Sequence, residues 1–254
     1  MRPDQLKQEI RHSAEKYAQS NGLKIDASPK SAVIFENLSD TFCTKTYTAI
    51  ANNDDWYRRI QKSHQNLPGV LEMQSSNSSD ALLMNTFCHP KISSWKGVSD
   101  LLGFKLGNPI FGFKAKVEKE GTDGDATEID MVIGDYFVEA KLTESDFTDK
   151  DAAEVEKYLR LTVCFHSDCL TVHDGRYQNY QIIRNLLASA QHWKQHMLLC
   201  DERRPDLARR YMETVCCLRD VQFRKRCRVV FWQELQRVCG KDLGVFLYER
   251  YGLC

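Results

Sequence analysis

No run of apolar residues in this 254-residue chain approaches the roughly 20 needed to cross a bilayer. The opening stretch, MRPDQLKQEIRHSAEKYAQ, is charged throughout and lacks the apolar centre of a secretory signal. A cytoplasmic location with no membrane attachment is therefore expected. Surplus charge is missing too. Lys and Arg number 35, as do Asp and Glu, which excludes a polybasic tail protein or an acidic solvating chain. At 42% hydrophobic and 10% aromatic, the composition excludes wholesale disorder. Internal repeats and long low-complexity linkers are absent, and residues 74–80 (QSSNSSD) form the sole polar patch of that kind. No G-x-S-x-G elbow, Walker A loop or H-E-x-x-H pair occurs, which removes the commonest signatures of serine hydrolases, P-loop enzymes and zinc proteases.

Ten cysteines are present, scattered, without a repeating C-x-x-C pattern. In a reducing compartment they read as free, mostly buried thiols. Cys164, His166 and Cys169, with the Cys88-His89 pair, leave a zinc alternative. Their spacing is looser than the two tight ligand pairs of a structural zinc site.

Periodicity predicts helices and strands in alternation, hence an α/β fold. A helix is expected over 4–19, with Leu6, Ile10 and Tyr17 on one side. Residues 74–80 read as a hinge or as a loop in which Ser78 or Ser79 caps a helix at 81–87. Asn53 or Asp54 reads as another cap. Strands are expected at 110–117, 127–133, 136–141 and 227–232, and helices at 151–161, 178–197, beyond Pro205 and at 242–250. One domain spanning 1–254 is expected, with residues 1–70 a helical N-terminal extension of a 75–250 core.

The stretch TEIDMVIGDYFVEAKLTE (127–144) carries the chemistry. Gly134-Asp135 reads as a two-residue hairpin loop. Ile133 then faces Tyr136, Met131 faces Val138, Asp130 faces Glu139, and Glu128 faces Lys141. Facing residues share a side of the sheet. One face thus carries Glu128, Asp130, Glu139 and Lys141. The other carries Ile129, Met131, Ile133, Tyr136, Val138 and Ala140, and must be buried. Carboxylates roughly 5 Å apart repel unless a proton or cation lies between them. A hard ion such as Mg²⁺ or Mn²⁺ suits such oxygens, and a neighbouring lysine suits charge stabilisation at a phosphodiester. The ordinary alternative is a solvated charged face with a Glu128–Lys141 ion pair. Val132 and Phe137 on that face argue against a merely wet surface.

Asp130 followed by Glu139-Ala140-Lys141 on the next strand resembles the PD-(D/E)xK nuclease superfamily, with its restriction-endonuclease-like fold. The neighbourhood adds to the likeness: a preceding strand ending in Glu118, a Gly121–Gly124 turn, the continuation to Phe147, and Tyr180-Gln181-Ile182-Ile183-Arg184-Asn185 on a helix. The order is similar to that of uncharacterised prokaryotic members over residues 75–250. The resemblance implies a central mixed sheet flanked by helices and a metal-dependent nuclease acting on DNA. In it Asp130 and Glu139 hold Mg²⁺ (or Mn²⁺), Lys141 is the catalytic lysine, and Gln181 is a helical glutamine near the site. A further acid is usual, and Glu118 is favoured over Asp80 and Glu72. Two rival readings remain: the same fold binding nucleic acid without cutting it, and a protein-interaction domain.

Beyond residue 160 the chain has 15 Lys and Arg against 10 Asp and Glu, so the rest has 20 against 25. Polyanion affinity is expected on the later part. Arg224, Lys225 and Arg226 are the candidate phosphate contacts, with a solvated helix side as the plain alternative. A homodimer is compatible with the sequence.

Overall fold

A computed structural model describes the whole chain, Met1–Cys254. Helix α1 (Pro3–Ser20) starts on a proline, tolerated in a first turn because the missing N–H has no helical partner there. Leu6, Ile10, Ala14 and Ala18 make its buried stripe. Strands β1 (Ile25–Asp26) and β2 (Ile34–Phe35) pair antiparallel. Helices α2 (Thr44–Ala51) and α3 (Asp54–Ile60) follow, and Asn53 rather than Asp54 is the cap, accepting from the Trp56 amide at 3.1 Å. Residues 74–80 lead into α4 (Ser79–Phe87), where the Ser78 hydroxyl accepts from the Ala81 amide at 3.1 Å. Helix α5 (Lys96–Leu102) ends at Gly103, in the left-handed conformation.

Strands β3 (Ile110–Val117), β4 (Asp125–Ile133) and β5 (Tyr136–Ala140) form an antiparallel meander, and β5 is buried along its whole length. The hairpin register is as expected at Ile133–Tyr136 and Met131–Val138. The segment expected as a helix over 151–161 is broken up. Strand β6 (Asp149–Asp151) pairs with β8 (Arg176–Gln178), which also pairs with β7 (Val172–His173). One-turn helices α6 (Ala152–Val155) and α7 (Leu161–Cys164) lie between.

The helix expected over 178–197 is shorter. It is α8 (Tyr180–Gln191); the chain then reverses through Trp193, whose φ is 56°, into strand β9 (Gln195–Cys200). His196 through Cys200 are all buried, so this strand has no polar side to betray it. Helix α9 (Pro205–Cys216), helix α10 (Val221–Arg226), strand β10 (Arg228–Phe231) and helices α11 (Trp232–Val238) and α12 (Lys241–Tyr251) complete the chain.

The sheet order is β10-β9-β5-β4-β3, with β5, β9 and β10 mutually parallel. This is the mixed α/β core expected of a restriction-endonuclease-like fold. Helices cover both faces. Met197 and Leu199 point into one core with Leu6, Leu83, Val98, Leu235 and Leu247, from α1, α4, α5, α11 and α12. Leu198 and Cys200 point into the other with Ile183, Leu187, Tyr211 and Phe223, from α8, α9 and α10. Helix α1 packs against the first of these cores through Leu6 and Ile10. Cysteines are less buried than expected: all ten are free, four are buried, and Cys169, Cys216 and Cys254 are exposed.

Candidate active site

Gly112 lies opposite Asp130 in the β3–β4 ladder, but the pairing is interrupted there. Gly112 has a φ of 63°, which a residue with a side chain adopts at a cost. Across the interruption the strands change sides. Ile129 packs with Phe137 in the α8 core, whereas Met131 packs with Val138 in the other. The expectation that Ile129, Met131 and Val138 share one buried side therefore holds for two of the three. The β4–β5 ladder also stops at Met131–Val138. Instead of a backbone bond at the next step, Asp130 Oδ2 accepts the Ala140 amide at 2.8 Å. A local opening between β4 and β5 thus presents a carboxylate at the end of β5.

Four expected residues meet there, Asp130, Glu139, Lys141 and Gln181. Glu139 is fully buried, and Lys141 is 6% exposed. Lys141 Nζ is 2.9 Å from Glu139 Oε1 and donates to Gln181 Oε1 at 2.8 Å. Asn185, one turn along α8 from Gln181, donates to Glu139 Oε2 at 2.6 Å. Sequence reasoning missed Asn185. Its signal was the four-residue spacing from Gln181, which puts both amides on one helix side.

Burial raises the Asp130 pKa well above the usual carboxylate range, and the facing Glu139 and nearby Asp80 add to the rise. Burial by itself would lower the Lys141 pKa. Glu139, Glu144 and Asp130 outweigh it, so the pKa is raised and the ammonium keeps its proton. Glu139 Oε1 is buried, and the Lys141 ammonium at 2.9 Å is its partner.

Glu118 is not brought to this place. It is exposed beyond the end of β3, where its amide bonds to Gln191. The acid near Asp130 is Asp80, 8% exposed at the start of α4. Burial raises its pKa as well, against the opposing Arg59 cation. Glu72 pairs with Lys62 at 2.8 Å. Glu128 does not pair with Lys141, because Lys141 leaves the β4 ladder and bonds through its amide to Leu199 of β9. Instead Glu128 takes Lys114 and Arg59, the latter at 2.7 Å. Burial would raise the Glu128 pKa, but these donors bring it down to about 2. Arg59 also holds Asp80 at 2.5 Å, so α3 clamps two acids of different elements.

The loop after β5 is held from three sides. Glu144 accepts from the Leu142 amide at 2.7 Å and from the Ser79 hydroxyl at 2.8 Å. Arg204, fully buried, donates to the Glu144 and Ser145 carbonyls at 2.7 and 2.9 Å. Trp232 donates to the Lys141 carbonyl at 2.9 Å. Arg224, Lys225 and Arg226 lie elsewhere, on α10 at the end of the sheet where β5 and β9 begin, since Arg228 is level with Met197 and Val138.

No three His, Cys, Asp or Glu side chains converge as a ready-made metal cage. Asp130 and Glu139 offer two hard oxygen donors close enough that Glu139 raises the Asp130 pKa, with Lys141 the cation beside them. That set fits Mg²⁺, which is commonly bound through one or two carboxylates, its remaining positions filled by water and phosphate.

A family model described as restriction endonuclease associating with ARP matches residues 6–252. No curated protein and no solved structure matches.

Proposed function

The chain belongs to the restriction endonuclease family associating with ARP, and on that premise we propose that it hydrolyses phosphodiester bonds of DNA with Mg²⁺ or Mn²⁺. The observation that carries the reading is the meeting of Asp130, Glu139 and Lys141 at the opened end of β5. Asp130 and Glu139 would hold the ion, and Asp80, the acid near Asp130, adds negative charge beside them in place of Glu118. When bound, the ion supplies Lewis acidity and offsets the negative charge of a phosphate.

The chain's own groups do the rest. Lys141, kept protonated by its carboxylate neighbours, stabilises charge that develops on phosphate oxygens and is not a general base. Gln181 fixes the ammonium, and Asn185 fixes the Glu139 carboxylate, so neither has to reorganise. Arg59 keeps Asp80 aimed from α4. Plasmid DNA incubated with Mg²⁺ and the purified protein tests the reading. Cleavage by the wild type and none by Glu139→Gln is the expected pair of results. Binding without cleavage would favour the nuclease-fold binding protein instead.

A further inference from the structure

A charged cavity lies away from the carboxylate site. It measures about 410 Å³, and its lining includes Lys119, Thr122, Asp125, Lys150, Tyr180 and Arg184. It forms where the β3–β4 turn, strand β6 and the first turns of α8 come together. Arg184 is three residues from Gln181 and next to Asn185, so the same helix serves both places.

The cations of this cavity are not neutralised from within. Lys150 and Arg184 form no ion pair with any carboxylate, and Arg184 Nε is buried without a hydrogen bond. Neighbouring acids are already committed. Asp149 and Asp151 pair with Arg176, and Glu154 is shared by Lys119 and Lys157. The one carboxylate in the lining, Asp125, accepts hydrogen bonds from the Tyr158 and Tyr180 hydroxyls. The Tyr180 ring lies 5.4 Å from the Arg184 guanidinium carbon and steadies its orientation. The cavity thus keeps two unpaired cations, one with a buried donor lacking an acceptor, and a third paired only with Glu154. An incoming anion would supply the acceptor that this donor lacks.

We infer that this cavity takes a backbone phosphate of the nucleic acid whose scissile bond lies at Asp130 and Glu139. The inference rests on the nuclease reading. Asp125 and Asp130 are five residues apart on β4, or about 17 Å at strand spacing. The bound phosphate therefore belongs to a nucleotide some way along from the cleaved bond. Arg184 and Lys150 are its donors.

The experiment uses the full chain and a fluorescently labelled duplex DNA, with binding measured at several salt concentrations in Ca²⁺ and cleavage measured in Mg²⁺. Lys150→Ala and Arg184→Gln should each weaken binding several-fold and flatten the salt slope by about 0.9. Thermal melting checks that each variant is folded. Lys150 is partly exposed on a three-residue strand, so its variant reads the site even if Arg184→Gln unfolds. The comparator replaces Arg224, Lys225 and Arg226 with alanine. A loss of slope in the comparator alone would put the DNA at the other end of the sheet and overturn the inference. Unchanged affinity and slope in both cavity variants, with a wild type that binds, would overturn it while sparing the nuclease reading. A wild type that neither binds nor cuts would overturn both.

Discussion

Replacing Gly112 by alanine isolates the backbone feature on which the site is built. Gly112 has a φ of 63°, and an added Cβ would lie 2.5 Å from Arg59 Nη1 and 3.2 Å from Arg59 Cζ. Gly121 is the control: its φ is 72°, and an added Cβ would meet nothing within 4 Å. Both changes incur the left-handed penalty of about 1–2 kcal/mol. At Gly112 alone, the guanidinium must also move from its contacts with Asp80 and Glu128. Breaking a buried ion pair outright costs about 3–5 kcal/mol, and a displaced but flexible arginine should lose roughly half of that. Gly121→Ala should therefore lower Tm by about 4 °C and Gly112→Ala by about 10 °C, at about 3 °C per kcal/mol for a chain of this size. Differential scanning calorimetry reads both. In an Arg59→Ala background the Gly112 excess should vanish, since its cause has been removed. Equal shifts for the two glycines in the native background would refute the claim that Arg59 seats on Gly112 and clamps the acids.

Asp130→Asn, Glu139→Gln and Lys141→Ala should each reduce Mg²⁺-dependent cleavage by about 10²-fold or more; a wild-type rate for Lys141→Ala removes the ammonium from the mechanism. Glu118→Ala should cleave like the wild type and Asp80→Asn should not; the reverse result in a plasmid-nicking assay restores the acid first favoured. Asn185→Leu should lower the cleavage rate with little change in DNA affinity, because it frees a buried carboxylate that touches no DNA. The raised Asp130 pKa fixes the sign of a pH effect. Between the unfolded value and the raised folded one, the native state holds the extra proton, so ion-free stability falls as pH rises through that window. Mg²⁺ affinity rises through the same window, because the ion needs the deprotonated carboxylate. Thermal melts across pH with and without Mg²⁺ should diverge upward in pH, and parallel curves would count against Asp130 as a ligand.

The sequence by itself determined what local rules control. The Gly134-Asp135 turn set the hairpin register, because a two-residue loop leaves one pairing between its strands. Glu139 and Lys141 alternate with Ala140, so a strand puts both on one side, and Gln181 already suggested a helix beside them. The caps at Asn53 and Ser78 were legible because their hydrogen bonds reach three residues along the chain. Tertiary structure decided the rest. The apolar run at 197–200 followed directly on the helical pattern of α8, and being enclosed by helices on both faces made it a strand at the centre of the sheet. Asp80 and Glu118 look alike in sequence. What separates them is that α4 packs across β5 while β3 carries Glu118 past the opening at Gly112 and out to solvent. Glu128 went to Arg59, 69 residues away, and not to Lys141. Asn185 became part of the site because α8 packs against β5. These outcomes depend on which distant surfaces meet, and long-range packing leaves no periodic trace in a single chain.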